Sequence, residues 1–88
     1  MNSNLIAIDF ETATSNKMAC QIGITIVENG AIKDTIVRLI QPPNNKYDVG
    51  CIQVHHITPE QTSKSPTFDI VWEETKNLCI NYDIVAHN

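Results

Sequence analysis

The stretch Leu5-Ile6-Ala7-Ile8-Asp9-Phe10-Glu11-Thr12-Ala13-Thr14 constrains the chain more than any other. Four consecutive apolar residues run directly into two carboxylates that flank a phenylalanine. An unbroken apolar run near a terminus, without polar alternation, predicts a strand buried on both faces and therefore central in its sheet. On an extended backbone Asp9 and Glu11 point to the same side, with Cα atoms about 6.6 to 6.8 Å apart. Like charges at the tip of a buried strand repel each other and lose hydration. The position demands compensation by a carboxyl pushed toward its neutral form, a cationic side chain or a metal ion. The competing reading makes Asp9 a turn former or helix cap and leaves Glu11 solvated. Spacing alone does not separate the two.

The rest of the chain supplies the context. Ser15-Asn16-Lys17 is a polar connection, and Cys20 to Val27 reads as a second strand with Cys20, Ile22, Ile24 and Ile26 on one face. Asn29-Gly30 is a hairpin signal, because both residues tolerate positive φ, and a third strand from Ala31 to Ile40 follows antiparallel. Gly23 marks a bulge or a close backbone approach. Pro42-Pro43 ends the run of strands, since proline cannot donate to a ladder. Residues 46–56 lack a period and read as loop. His55 and His56, as neighbours in an extended segment, point apart and do not share an ion.

Two helices and a strand complete the pattern. Thr58-Pro59-Glu60-Gln61 has a helix N-cap, a proline at the first helical position and a capping-box glutamine. A second helix starts near Ser65 or Thr67, with Phe68, Val71, Trp72, Thr75, Leu78 and Cys79 on one stripe and Trp72 in the core. Tyr82 to Ala86 reads as a short buried strand. The order β-β-β-α-α-β, with a right-handed crossover into a parallel fourth strand, gives an α/β fold with a mixed sheet in the order 3-2-1-4. Ligands in such sheets gather at the carboxyl ends of the central parallel strands. There Asp9 and Glu11 meet His87 and Asn88, which favours a site over a solvated pair.

Length and charge bound what such a site can do. Eighty-eight residues make at most one domain, and a chain of that size buries only about 60 to 65 per cent of its unfolded surface. No apolar run approaches the ~20 residues of a membrane span and no signal-peptide plan opens the chain, so a cytoplasmic protein without membrane partners is expected. Cys20, Cys51 and Cys79 are odd in number and widely spaced, which fits small apolar side chains in a reducing compartment. The net charge is −4 and the six basic residues are scattered. Such a surface does not track a phosphate backbone by itself, so a bound cation would have to meet a phosphate-bearing substrate.

Ile8-Asp9-Phe10-Glu11-Thr12-Ala13, Gln21-Ile22-Gly23, Val54-His55-His56-Ile57-Thr58-Pro59-Glu60, Pro66-Thr67-Phe68 and Ile84-Val85-Ala86-His87-Asn88 occur in order and at fitting distances. This set resembles the DEDDh 3′–5′ exonucleases, in particular those like the epsilon proofreading subunit of DNA polymerase III. The resemblance covers essentially the whole chain and implies a ribonuclease-H-like fold. It also implies a two-metal hydrolysis of phosphodiesters at the 3′ end of a single-stranded nucleic acid, with Mg²⁺ or Mn²⁺ ions about 3.5 to 4 Å apart. By that resemblance Asp9 and Glu11 are catalytic metal ligands. Thr12, backbone near Phe10 and Ala13, Ile57, and the motif start at His87-Asn88 are substrate contacts. The sequence departs from the family at His56, where glycine is usual. The remaining acidic ligands and the general-base histidine lie in motifs beyond Asn88, so residues 1–88 are expected to be the N-terminal portion of a single exonuclease domain, truncated before its remaining strand and helices and with little activity alone. A polymerase or helicase partner is an expectation of the same kind.

Three rivals stand beside that reading: a ribonuclease-H-like interaction module associating through its exposed fourth strand, an RNA-directed exoribonuclease of the same family, and a glycoside hydrolase using Asp9 and Glu11 as acid and base without a metal.

Overall fold

The computed structural model describes residues 4–87. Strands β1 (Leu5–Thr12), β2 (Ala19–Glu28) and β3 (Ala31–Leu39) form an antiparallel meander, and β4 (Asp83–His87) joins it at the end of the chain. Between them lie α1 (Val49–His55), α2 (Pro59–Thr62) and α3 (Phe68–Thr75), with a 3₁₀ turn at Lys76–Cys79. The sheet runs β3-β2-β1-β4, and β4 is parallel to β1, as a crossover through the helices requires. Asn29 (φ 53°) and Gly30 (φ 79°) both take the left-handed conformation at the first hairpin, the geometry that matches the twist of the flanking strands.

Isoleucines build the core. Ile6 and Ile8 of β1 and Ile22, Ile24 and Ile26 of β2 are buried together with Ile40 and with Val71 of α3. Their period of two puts them on one face of the sheet, where α3 covers them. On the other face Leu5 and Ala7 are only half-buried. The unbroken apolar run of β1 is therefore central, as expected, but fully buried on one side only. The shortest dimension of the molecule is 19 Å, the thickness of one sheet and one helical layer rather than two.

Several expectations are corrected. Residues 49–55 form a helix, not a loop; none of its residues is buried, so it has no apolar stripe to announce it. The stripe of α3 is narrower than its sequence, with Val71 and Thr75 buried while Phe68, Trp72 and Leu78 stay partly exposed. Tightening into the 3₁₀ turn shifts the positions beyond Thr75 off the helical period. Trp72 stacks on Phe68 at 6.4 Å and 5° instead of entering the core. In β4, Ile84 and Val85 are each about half exposed, because that strand occupies a sheet edge. Gly23 marks neither a bulge nor a tight approach. The ladder runs through it without a break, and an added Cβ would lie 3.8 Å from the Asp9 carbonyl, an ordinary contact.

Candidate active site

β1 delivers the two carboxylates to one face. Asp9 pairs in register with Gly23 on one side and with His87 of β4 on the other, and Glu11 pairs with Gln21. The alternation that sends Ile6 and Ile8 into the core sends Asp9 and Glu11 to the opposite, open face. Asp9 is exposed and Glu11 half-buried. Gly23 contributes no side chain beside Asp9, which leaves that flank open. His87 reaches this end of the sheet as expected, and Asn88 lies outside the described residues.

Immediately after Glu11 the ladder breaks. Glu11 faces Gln21 but Thr12 faces Ala19, so Cys20 is an extra residue on β2. Such a bulge re-aims the side chains around it. It moves Cys20 away from the isoleucine core, where its spacing would put it, into a second cluster with Ala13 and Ile57, flanked by Leu39 and Tyr47. Burial pushes the Cys20 thiol above its ordinary range, so it stays a protonated, packing group rather than a soft metal ligand.

Beyond the bulge a set of polar contacts from distant residues holds the chain. The Ala13 amide donates to the Met18 carbonyl (2.7 Å), and the Ala13 carbonyl accepts from the Asp48 amide (2.8 Å). The Ser15 amide donates to the Asp48 carboxylate (2.7 Å). His55 Nε2 lies 2.8 Å from the Thr12 carbonyl, and His55 Nδ1 accepts from the Ile57 amide at 2.9 Å. Both ring nitrogens of His55 are thus engaged by the protein. His56 takes a left-handed conformation (φ 64°, ψ 16°) where α1 ends. The glycine usual at that position thus has a conformational reason, the αL turn that closes a helix.

The residues expected to touch substrate are distributed unevenly. Thr12 is half-buried and lines the same far-face cavity as Phe10, so the expected substrate contact there is not with the carboxylate face. Ala13 is wholly buried with both backbone groups bonded, so it shapes the floor under the carboxylates rather than presenting a surface. Ile57 is 7 % exposed and forms an apolar wall whose body belongs to the second cluster. The Phe10 ring lies on the far face of the sheet, 6.1 Å from Phe68, beside a cavity of about 520 Å³ that Met18 and Pro43 also line. Only the Phe10 backbone is on the carboxylate side. Periodicity gave no sign of Asp48, because its role rests on hydrogen bonds over 33 residues of sequence separation.

The donor set tests the metal reading. Among the described residues no group of three or more His, Cys, Asp or Glu side chains comes together, so Asp9 and Glu11 make a partial site. The ion pairs among the described residues, Lys33–Glu28 and Lys76–Glu73, leave Glu11 without a basic partner. Hard oxygen donors on one open face suit a hard divalent cation, and no helix of the described residues is long and apolar enough to cross a membrane.

Comparison with known proteins bears on the family and the fold. The profile of the RNase_T family, described as exonuclease, matches residues 6–88. No curated protein sequence matches the chain. Among solved structures it is similar to a full-length 3′-exonuclease (TM-score 0.79, 19 % identity, covering 97 % of this chain and 34 % of that one). It is similar also to a 3′-exonuclease described in 3′-end-specific recognition of a histone mRNA stem-loop (0.80, 19 %, covering 99 % and 36 %). A third is Exonuclease X in complex with 5′-overhanging duplex DNA (0.79, 24 %, covering 96 % and 48 %). At these identities the structures establish the ribonuclease-H-like fold, and the chain spans a third to a half of their lengths.

Proposed function

Because the chain belongs to the RNase_T exonuclease family, of the DEDDh kind, we propose that it is the N-terminal portion of a 3′–5′ exonuclease domain acting on the 3′ end of single-stranded nucleic acid. The observation that carries the reading is the position of Asp9 and Glu11. They share the open face at the carboxyl end of the central strand, next to the end of the parallel strand β4. Asp9 and Glu11 would hold Mg²⁺ or Mn²⁺. When bound, a pair of such ions supplies charge neutralisation at the scissile phosphate and acidifies the attacking water. A net charge of −4 makes that neutralisation necessary, since the protein surface offers little of its own.

The chain's own residues do the rest by position. Gly23 keeps the flank of Asp9 clear for a phosphate, the Thr12 backbone adjoins Glu11, and Ile57 gives the terminal nucleotide an apolar edge. Two carboxylates do not complete a two-ion site, so residues 1–88 alone are nearly inactive.

The test uses a 3′-labelled oligonucleotide and the full-length protein. Trimming should depend on Mg²⁺ or Mn²⁺ and stop on chelation. Glu11→Gln should weaken metal binding and reduce the rate by orders of magnitude; wild-type turnover in that variant overturns the site assignment. Robust trimming by the 88-residue chain alone, abolished by Asp9→Ala, overturns the claim that it is inactive. Matched DNA and RNA substrates decide the preferred sugar, because the 2′-OH is what separates them.

A further inference from the structure

The segment that follows Glu11 leaves the regular ladder through the bulge, with Thr12 paired to Ala19 as its last rung. Its supports come from the two ends of one helix. At the start of α1, Asp48 donates its amide to the Ala13 carbonyl and accepts the Ser15 amide on its carboxylate. At the other end, His55 reaches the Thr12 carbonyl. The helix buries no residue, and Val49 and Val54 are 70 % and 78 % exposed. Cys51 and Ile52 on its inner side are half-buried, and the polar contacts at its ends fix its position.

The donors and acceptors around His55 fix its chemical form. Ile57 offers a backbone N–H, so Nδ1 must accept. Thr12 offers a carbonyl, so Nε2 must carry the proton. Cys20 Sγ lies 3.7 Å from the same Nε2, a weaker contact on the same side of the ring. The left-handed His56 turns the chain back so that the Ile57 amide can reach the ring.

We propose that His55, as the neutral Nε2–H tautomer, is a positioning residue for the carboxylate-bearing end of β1: it pins the Thr12 carbonyl beyond the bulge and so aims Glu11. This rests on the reading of Glu11 as a metal ligand, and it deepens that reading by naming what orients the ligand. His55 touches neither metal nor substrate; it acts through the backbone.

The experiment separates its two bonds in the full-length protein. A glutamine amide can stand in for Nε2–H and keep the Thr12 bond; an asparagine carbonyl can stand in for Nδ1 and keep the Ile57 bond. Mn²⁺ affinity is read by calorimetry on His55→Gln and His55→Asn, with circular dichroism confirming that each is folded. Long-range ¹H–¹⁵N correlation of the wild-type imidazole reads the tautomer. His55→Gln should stay near wild type, and His55→Asn should lose about tenfold in Mn²⁺ affinity, the low end for a residue that orients a ligand from outside the metal's own shell. Equal affinities in the two variants, or a proton on Nδ1, would overturn the proposal. The spectrum does not depend on nuclease activity. A correct tautomer with Mn²⁺ binding absent even from the wild type would sink the metal reading, and with it the aim assigned to His55.

Discussion

Replacing His56 by glycine should stabilise the protein, and the size of the effect follows from one backbone angle. His56 closes α1 at φ 64°, ψ 16°, with its amide donating to the Ile52 carbonyl at 2.7 Å. A residue with a Cβ pays about 1 to 2 kcal/mol to sit in that region. Glycine escapes the cost but loses about 0.5 to 1 kcal/mol more backbone entropy on folding. The net expectation is a gain of about 0 to 1.5 kcal/mol, with a centre of about 0.75 kcal/mol. With a urea dependence of about 1 kcal/mol per molar for a small domain, a gain at that centre raises the midpoint by about 0.75 M. Equilibrium urea unfolding followed by the emission of Trp72, the single tryptophan, measures it. His56→Ala should give no such gain, since alanine retains the Cβ. Lys17, at φ 67°, supplies an independent repeat through Lys17→Gly. If His56→Gly is no more stable than His56→Ala, left-handed strain is not what the usual glycine relieves there.

Two further outcomes test the fold itself. Ile24 is fully buried in the isoleucine core, so Ile24→Ala should cost about 2 to 5 kcal/mol, read as a lower urea midpoint; a loss below 1 kcal/mol would mean the core is not packed as described. The Glu28 carboxyl is held below its ordinary range, first by the Tyr82 hydroxyl that donates to it and then by Lys33. A depressed carboxyl stabilises the fold above its unfolded value and loses that contribution as pH falls through its folded value. Tyr82→Phe should therefore be less stable at neutral pH, with the two stability curves converging below the ordinary glutamate value of 4.5. A gap that persists unchanged into acid would place the effect in packing instead.

What the sequence disclosed and what it withheld have different physical origins. The meander, the Asn29-Gly30 hairpin, the capping-box contact in which the Thr58 amide donates to Gln61 Oε1 at 2.8 Å, and the parallel β4 all depend on local spacing. So does the placement of Asp9 and Glu11 on one face. Helix α1 escaped because a helix without buried residues carries no period to read. Cys20 leaves its expected face because a bulge changes the parity of a strand without altering its composition. Asp48 and His55 act across 33 and 43 residues of chain, through backbone groups whose partners no side-chain pattern encodes.

Tethering a helix by its ends has a consequence for how this segment tolerates change. The six positions between Asp48 and His55 tolerate substitution at the exposed Val49, Gly50, Gln53 and Val54 so long as they remain helical. Their number is not free. One inserted or deleted residue would swing His55 about 100° around the axis and shift it about 1.5 Å along it, tearing the ring from Thr12 while Asp48 stayed put. Length variants through 49–54 should therefore fail where substitutions at Val49, Gly50, Gln53 and Val54 survive.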